Sequence, residues 1–342
     1  MTGRRLEVAI LTAVLLAAAF LYTTRLDQVP PFLSTDETSF ALQAHAIATT
    51  ARDQNGRFLP LYFQVFENIW FHPALVYSMV PVLAVAPPSP TAVRLPTTIV
   101  ALISILLMYA LARRLGATRA AAGVGSLLLA LTPAHFMHGR LACDYLFPVP
   151  FVLGWLILLV DAQRLQSSWR FFGAGALLGL GLYTYIASVM MMPVYLLLTY
   201  VVLFASGIRR ARPFALVTAG FLLPVIPLAL YLLAMPEVYA GFVGRYAKAT
   251  VNVDVVQHPL ALFSARLVDE WWPTYRSFFE PRFLFEHAET HLLSSTYTTG
   301  IFMKAMQFLL PLGVFHIARN RRTPFTLLLL GVFFSAPLAA SM

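Results

Sequence analysis

The chain has 342 residues, 59% hydrophobic and only 11% charged, with a mean hydropathy of +0.74. Soluble domains carry about 25% charged residues, so this balance excludes a water-soluble globular domain and makes lipid the solvent for most of the chain. The net charge of +9 reads as a topological bias rather than a nucleic-acid footprint, and the lone Cys143 excludes an intrachain disulfide.

In chain order, apolar runs of membrane-spanning length cover residues 6–22, 93–112, 120–138, 146–160, 171–187, 190–206, 214–234 and 301–318, with a last run from about Phe325. Residues 6–22 follow Arg4 and Arg5 and so also have the make-up of a signal peptide. The run is long for that role and is read as an anchoring first span. A further apolar stretch, 69–86, holds Pro73 and Pro81 and runs into Pro87, Pro88 and Pro90. Charge parity decides its status. If it does not span, Arg4, Arg5, Arg113, Arg114, Arg119, Arg164, Arg170, Arg209, Arg210, Arg212, Arg319, Arg321 and Arg322 share one side with only two acids, Glu7 and Asp161. If it does span, Arg113, Arg114 and Arg119 fall opposite Arg4 and Arg5 and the bias collapses. The positive-inside rule therefore makes 69–92 a re-entrant or juxtamembrane segment on the outer face, with the N-terminus cytoplasmic.

The expected organisation is a single all-α polytopic membrane domain over 1–342. Its two large outer loops are 23–68 and 236–300, and the re-entrant segment follows the first. The sequence ends in an apolar run at Ala340-Ser341-Met342, which reads as a C-terminal truncation.

Polar chemistry gathers in the outer segments. Ser34 and Glu37 have capping-box spacing, so a helix starts at about Asp36, with Phe40, Ala44, Ile47 and Ala51 on one face suited to lying along the interface. Asp36 and Glu37 are either ordinary acids at a helix N-terminus or a proton acceptor beside the membrane. His72 precedes Pro73, which suits the first turn of a helix. Free amides there suit an anion such as phosphate, although an interfacial His beside Trp70 and Tyr77 is also ordinary belt composition. Arg140 falls outside against the charge bias. It either pairs with Asp144 at i,i+4 spacing or binds a phosphate with its planar fork. Tyr183 and Tyr185 close another outer span end. The second loop adds Arg276, Arg282, Glu286, His287, Glu289 and His291 among interfacial aromatics. The order H-A-E-T-H over 287–291 lacks the metalloprotease arrangement, and neither a metal nor another cofactor is expected. The spans carry almost no ionisable residues, whereas ion-coupled transporters bury some near the midplane.

This succession resembles the GT-C-fold glycosyltransferases, specifically the protein O-mannosyltransferase and aminoarabinose (lipid A) transferase family, glycosyltransferase family 39. The resemblance rests on Ser34-Thr35-Asp36-Glu37, His72-Pro73-Ala74-Leu75-Val76-Tyr77, Val93-Arg94-Leu95-Pro96 with Leu111-Ala112-Arg113-Arg114-Leu115-Gly116, Arg140 with Asp144, the run from Gly179 to Tyr185, and Phe283-Leu284-Phe285. It implies a GT-C helix bundle with juxtamembrane helices in the outer loops. It also implies a polyprenyl-phosphate-linked sugar donor, an acceptor hydroxyl on a glycan, lipid or protein, and an inverting single displacement on the extracytoplasmic side of the inner membrane. By the same resemblance Asp36 is the general base, Glu37 helps to position it, Arg140 contacts the donor phosphate or leaving group, and Asp144 orients that Arg or the sugar. His72, Tyr183 and Tyr185 join the donor site, with Arg276, Arg282, Glu289 and His291 as second-loop candidates. Nucleic acid is not an expected partner. A polyprenyl-lipid flippase or transporter is the alternative, and a catalytically silent scaffold a third reading.

Overall fold

The computed structural model describes residues 3–66, 69–238, 265–287, 298–320 and 323–341. The protein is an all-α membrane bundle, with one small hairpin among the described residues. Its helices are α1 (Gly3–Thr23), α2 (Thr35–Thr50), α3 (Pro73–Val85), α4 (Pro90–Arg114), α5 (Arg119–Leu131), α6 (Pro133–His138), α7 (Pro148–Leu165), α8 (Ser168–Gly181), α9 (Ser188–Ala205) and α10 (Ala211–Ala234). Beyond them lie Ala265–Ser277, Pro281–Phe285, Met306–Asn320, Pro324–Ser335 and Leu338–Ser341. Among the described residues, six helical segments are long and apolar enough to cross a membrane. Large apolar side chains such as Leu233, 79% exposed, point outward on them, which water would penalise and lipid does not.

Three expected spans are shorter helices. Residues 120–138 break at Thr132-Pro133, because proline has no N–H to continue the ladder, leaving α5 and α6 in series. The run 171–187 ends as helix at Gly181, where the Thr184 hydroxyl takes the Gly181 carbonyl at 2.6 Å. The run 301–318 becomes helical only at Met306.

Side-chain pairs define the two ends of the bundle. At one end Glu7 accepts from Arg113 Nε at 2.9 Å, Arg119 Nε at 3.4 Å and the Tyr109 hydroxyl at 3.3 Å. Arg114 pairs there with Asp161 at 2.9 Å. The start of α1, the end of α4, the start of α5 and the end of α7 therefore lie together. At the opposite end Arg94, in the first turns of α4, donates to carbonyls just past the end of α1. Helix α3 belongs to that second end. Its Ala74 N–H donates to the Tyr183 carbonyl at 3.2 Å, and its 13 residues extend about 20 Å, too short to cross.

The closest helix pair is α8 with α10. A Cβ on Gly175 would run into the Val217 carbonyl, one on Gly179 into the Phe221 carbonyl, and one on Gly220 into the Phe172 carbonyl. Small residues at four-residue spacing let backbones meet in this way where lipid offers no hydrophobic drive. A large core follows, with Trp155, Leu159, Phe171, Leu178 and Met192 buried between α7, α8, α9 and α10.

The capping box of α2 forms as its spacing predicts, with the Ser34 N–H donating to Glu37 and the Glu37 N–H to Ser34 Oγ. The face carrying Phe40, Ala44 and Ile47 does not lie on the interface. It packs on Leu75, Val76 and Met79 of α3, whose continuous apolar surface needs a cover. The rest of the first loop is folded as well. Phe63–Phe66 pairs antiparallel with Ile69–Phe71. Beside it the buried Asp53 carboxylate accepts the Asn55 and Arg57 amides and pairs with Arg57 at 2.7 Å, while the Arg57 guanidinium sits 4.9 Å over Trp70.

Candidate functional site

The site grows from one buried ion pair. Arg94 and Glu37 are each fully buried, and Arg94 Nε donates to Glu37 Oε1 at 2.8 Å while Nη2 donates to Oε2 at 3.3 Å. The remaining Arg94 donors reach the carbonyls of Leu26, Pro30 and Phe32 at 2.8–2.9 Å. The remaining lone pairs of Glu37 take the Ser34 N–H at 2.9 Å and the Ala142 N–H at 3.0 Å. A buried carboxylate this fully satisfied is low in energy only while every partner stays. Glu37 thereby ties four segments together: the 26–32 turn, the start of α2, the start of α4 and the loop after α6. Its oxygens are all occupied by the protein, which makes it a fixed strut.

Arg140 does a comparable job next door. Nη1 donates to the Leu21 and Tyr22 carbonyls, both at 2.9 Å, and Nη2 to those of Arg25 and Val29 at 3.2 and 3.1 Å. A cation on the exposed carbonyls at a helix C-terminus is favourable, and the ring of Phe136 lies 5.5 Å beneath it. This corrects both expectations for Arg140. Among the described residues it makes no ion pair with Asp144, and its terminal N–H groups are already used by backbone carbonyls, not held out for a phosphate.

Asp36 differs from its neighbour. It is half-buried in the first turn of α2, and its carboxylate takes no hydrogen bond from the described residues. Its charge is felt by the loop that the Ala142 amide holds. Burial pushes the Cys143 thiol well above its usual range, and the negative charges of Asp144, Glu37 and Asp36 push it further, with Arg94 opposing. The thiol thus feels the charge of all three carboxylates. Asp144 is itself buried in the short 3-10 turn Asp144–Leu146. Tyr145, within electrostatic reach of Asp36, Asp144 and Tyr185, continues the wall. Its ring stands edge-on to His138 at 4.9 Å and to Tyr185 at 5.6 Å.

The other expected site residues divide. Tyr185 is in the cluster. Tyr183 is not: its hydroxyl donates to the Pro224 carbonyl and its own carbonyl takes the Ala74 amide, so it pins α3 and α10 to the turn after α8. His72 caps α3 without a side-chain hydrogen bond to the helix. It is 2% exposed, with its ring 5.1 Å from Tyr62, and burial pushes its pKa down to about 3. A neutral, enclosed imidazole beside an amide already used by Tyr183 is a packing residue and not an open anion pocket. Arg276 is exposed on Ala265–Ser277. That helix docks on the C-terminal segment through Trp271 Nε1 to Ser341 Oγ at 2.8 Å and the Tyr275 hydroxyl to the Phe334 carbonyl at 2.7 Å. Arg282 is exposed on Pro281–Phe285. This short helix is linked to α6 by the Phe302 N–H on the Leu284 carbonyl at 2.8 Å and the Ala134 N–H on the Ile301 carbonyl at 3.3 Å. Glu289 and His291 lie outside the described residues. Among the described residues no group of three or more His, Cys, Asp or Glu is arranged to hold a metal.

Sequence reasoning passed over Arg94, Tyr145 and His138 as parts of the site. Arg94 shares the feature that drew attention to Arg140, a basic residue on the side whose charges the parity makes net acidic. Tyr145 follows Asp144 directly, and its relevance needed the turn geometry.

The dolichyl-phosphate-mannose-protein mannosyltransferase family profile matches residues 73–231. No curated protein sequence matches the chain. Among solved structures, the archaeal oligosaccharyltransferase AglB from Archaeoglobus fulgidus, in complex with an inhibitory peptide and a dolichol-phosphate, superposes with a TM-score of 0.57 at 14% identity. That match covers 97% of this chain and 49% of that one. A second Archaeoglobus fulgidus oligosaccharyltransferase structure, a complex with Zn and sulfate, gives a TM-score of 0.42 at 15% identity over 96% and 48%, too low to carry an argument. The chain spans about half the length of these structures. The resemblance read from the ordered motifs holds at the level of fold: the protein is a GT-C-type membrane bundle.

Proposed function

We propose that this GT-C bundle transfers a sugar from a polyprenyl-phosphate donor to an acceptor hydroxyl, with Asp36 as the general base. One observation carries the reading. Of the two adjacent acids at the site, Glu37 has both carboxylate oxygens filled by the protein, while Asp36 takes no hydrogen bond from the described residues and sits at a half-buried, solvent-reachable position. An acid in the first turn of a capped helix but left unbonded suits accepting a proton from an incoming hydroxyl. The family match over 73–231 supports the reaction class, and the dolichol-phosphate and peptide bound to AglB are in keeping with a lipid-linked donor.

In this mechanism the acceptor O–H loses its proton to Asp36. The oxygen attacks the anomeric carbon, and the bond from that carbon to the phosphate oxygen breaks with its electron pair leaving on the polyprenyl phosphate. Phosphate is already a good leaving group, so a base and nearby positive charge suffice. Asp144, Tyr145 and Tyr185 line the approach and orient the sugar. Arg94 and Glu37 hold the turn that aims Asp36, and Arg140 anchors the end of α1 behind it. With both guanidinium ends of Arg140 engaged, the exposed Arg282 is the candidate to meet the donor phosphate. The site opens on the extracytoplasmic side of the inner membrane, and the transferred sugar is a hexose or pentose.

The test is transfer from a panel of radiolabelled polyprenyl-phosphate hexoses and pentoses in liposomes, with free sugars as controls. The reading expects label to pass to a hydroxyl acceptor with inversion from at least one donor. Lipid movement across the bilayer with no transfer from any donor would overturn it in favour of the flippase.

A further inference from the structure

The end of the bundle opposite Asp36 is electrically divided. In one half every acid is spent: Glu7 serves Arg113 and Arg119, and Asp161 serves Arg114. The other half is formed by the α7–α8 connection and the α9–α10 connection. The Ser206 hydroxyl donates to Gln163 Oε1 at 3.2 Å, which brings these two connections together, and the glycine contact of α8 with α10 sets the helix starts side by side. Arg164, Arg170, Arg209, Arg210 and Arg212 all belong to this half, and among the described residues none has a carboxylate within 4.0 Å. A topological bias requires positive charge on this side, but it does not require that Asp161, one turn before Arg164 on α7, be engaged by Arg114.

The surroundings fix the depth of the patch. Arg170 lies 4.8 Å over the Trp169 ring and Arg209 lies 3.8 Å over the Phe204 ring. Trp169, Phe204 and Leu165 are themselves about 60% exposed at the ends of apolar helices. A tryptophan at such an end belongs at headgroup level, which puts the Arg170 guanidinium beside it within reach of lipid phosphates. A planar fork matches a phosphodiester in geometry and charge. An acidic protein or nucleic acid needs a basic surface standing clear of the membrane, and this one is rimmed by exposed apolar side chains.

We propose that residues 164–170 and 206–212 form a binding surface for anionic phospholipid headgroups in the leaflet at the Glu7 end. This surface is separate from the Asp36 site and does not rest on the glycosyltransferase reading. Bound lipid neutralises five clustered cations and fastens the α8–α10 pair to its leaflet.

The test places the whole chain in mixed micelles containing equal phosphatidylglycerol and phosphatidylcholine, and counts retained lipids by native mass spectrometry. Wild type is expected to retain phosphatidylglycerol preferentially. Each arginine near an anionic surface changes affinity about fivefold, so R209Q/R210Q/R212Q should lose most of that preference, at least about tenfold, and R209K/R210K/R212K should keep most of it. Salt at about 1 M, where screening acts within about 3 Å, should erode the wild-type preference, so the wild-type arm decides the matter if the glutamine variant fails to fold. Equal retention of the two lipids by wild type, or an undiminished preference in the folded glutamine variant, overturns the proposal.

Discussion

Removing the charge of Glu37 would leave Arg94 buried with its strongest acceptor gone, and such a loss costs about 3–5 kcal/mol. Glu37→Gln should therefore lower thermal stability in detergent markedly, and activity should fall with the folded fraction rather than beyond it. Arg94→Lys should shift stability in the same direction, since an ammonium offers three donors to a site that uses a planar fork against two carboxylate oxygens and three carbonyls. An unchanged unfolding temperature in both would contradict the strut. His72 makes a second residue-scale prediction. Its folded pKa is depressed by burial to about 3 from 6.5, so its contribution is fully present above pH 6.5 and is lost as the pH falls towards 3. In that window it costs the fold about 1.4 kcal/mol per pH unit. Thermal unfolding at pH 7 and pH 5 should show this slope, and His72→Gln should flatten it.

At the scale of elements, α8 and α10 are welded through backbone. Gly175→Ala should destabilise the bundle by roughly 1–3 kcal/mol or more, because its Cβ meets a carbonyl that belongs to a neighbouring helix and cannot swing away. Gly125→Ala, where nothing lies within 4 Å, should be neutral or slightly stabilising, and equal unfolding temperatures for the two variants would contradict the packing account. The same scale separates what the sequence made legible from what it hid. The α2 capping box was readable because it is local chemistry at fixed spacing. The hairpin of Phe63–Phe66 with Ile69–Phe71 was not, since a bulge between Gln64 and Phe66 erases the alternation in an already short strand. The break at Thr132-Pro133 was hidden for a different reason: hydropathy continues through a proline that ends the helix. The face of α2 was found but its partner was misjudged, because amphipathicity marks a surface to be covered and leaves open whether lipid or another helix covers it.

At the scale of the molecule, charge did most of the reading. The two acids grouped with the arginine-rich side, Glu7 and Asp161, are the ones found paired with Arg113, Arg114 and Arg119, because all of these groups sit at the matching ends of antiparallel helices. The candidate site was legible to the extent that its members are polar residues in otherwise apolar ends, as with Asp36, Asp144 and Tyr185. The division of labour within it was not. Sequence marks Arg140 as out of place, yet only the folded chain tells whether such a group faces a substrate or a row of backbone carbonyls. The central claim is that Asp36 performs chemistry in a frame that Glu37 and Arg94 build, and the kinetics of Asp36→Asn measure it most directly. The account predicts a fall in kcat of about 10²–10⁴-fold, with the unfolding temperature and the KM for the lipid donor close to wild type. A folded Asp36→Asn protein that transfers sugar at the wild-type rate would contradict it.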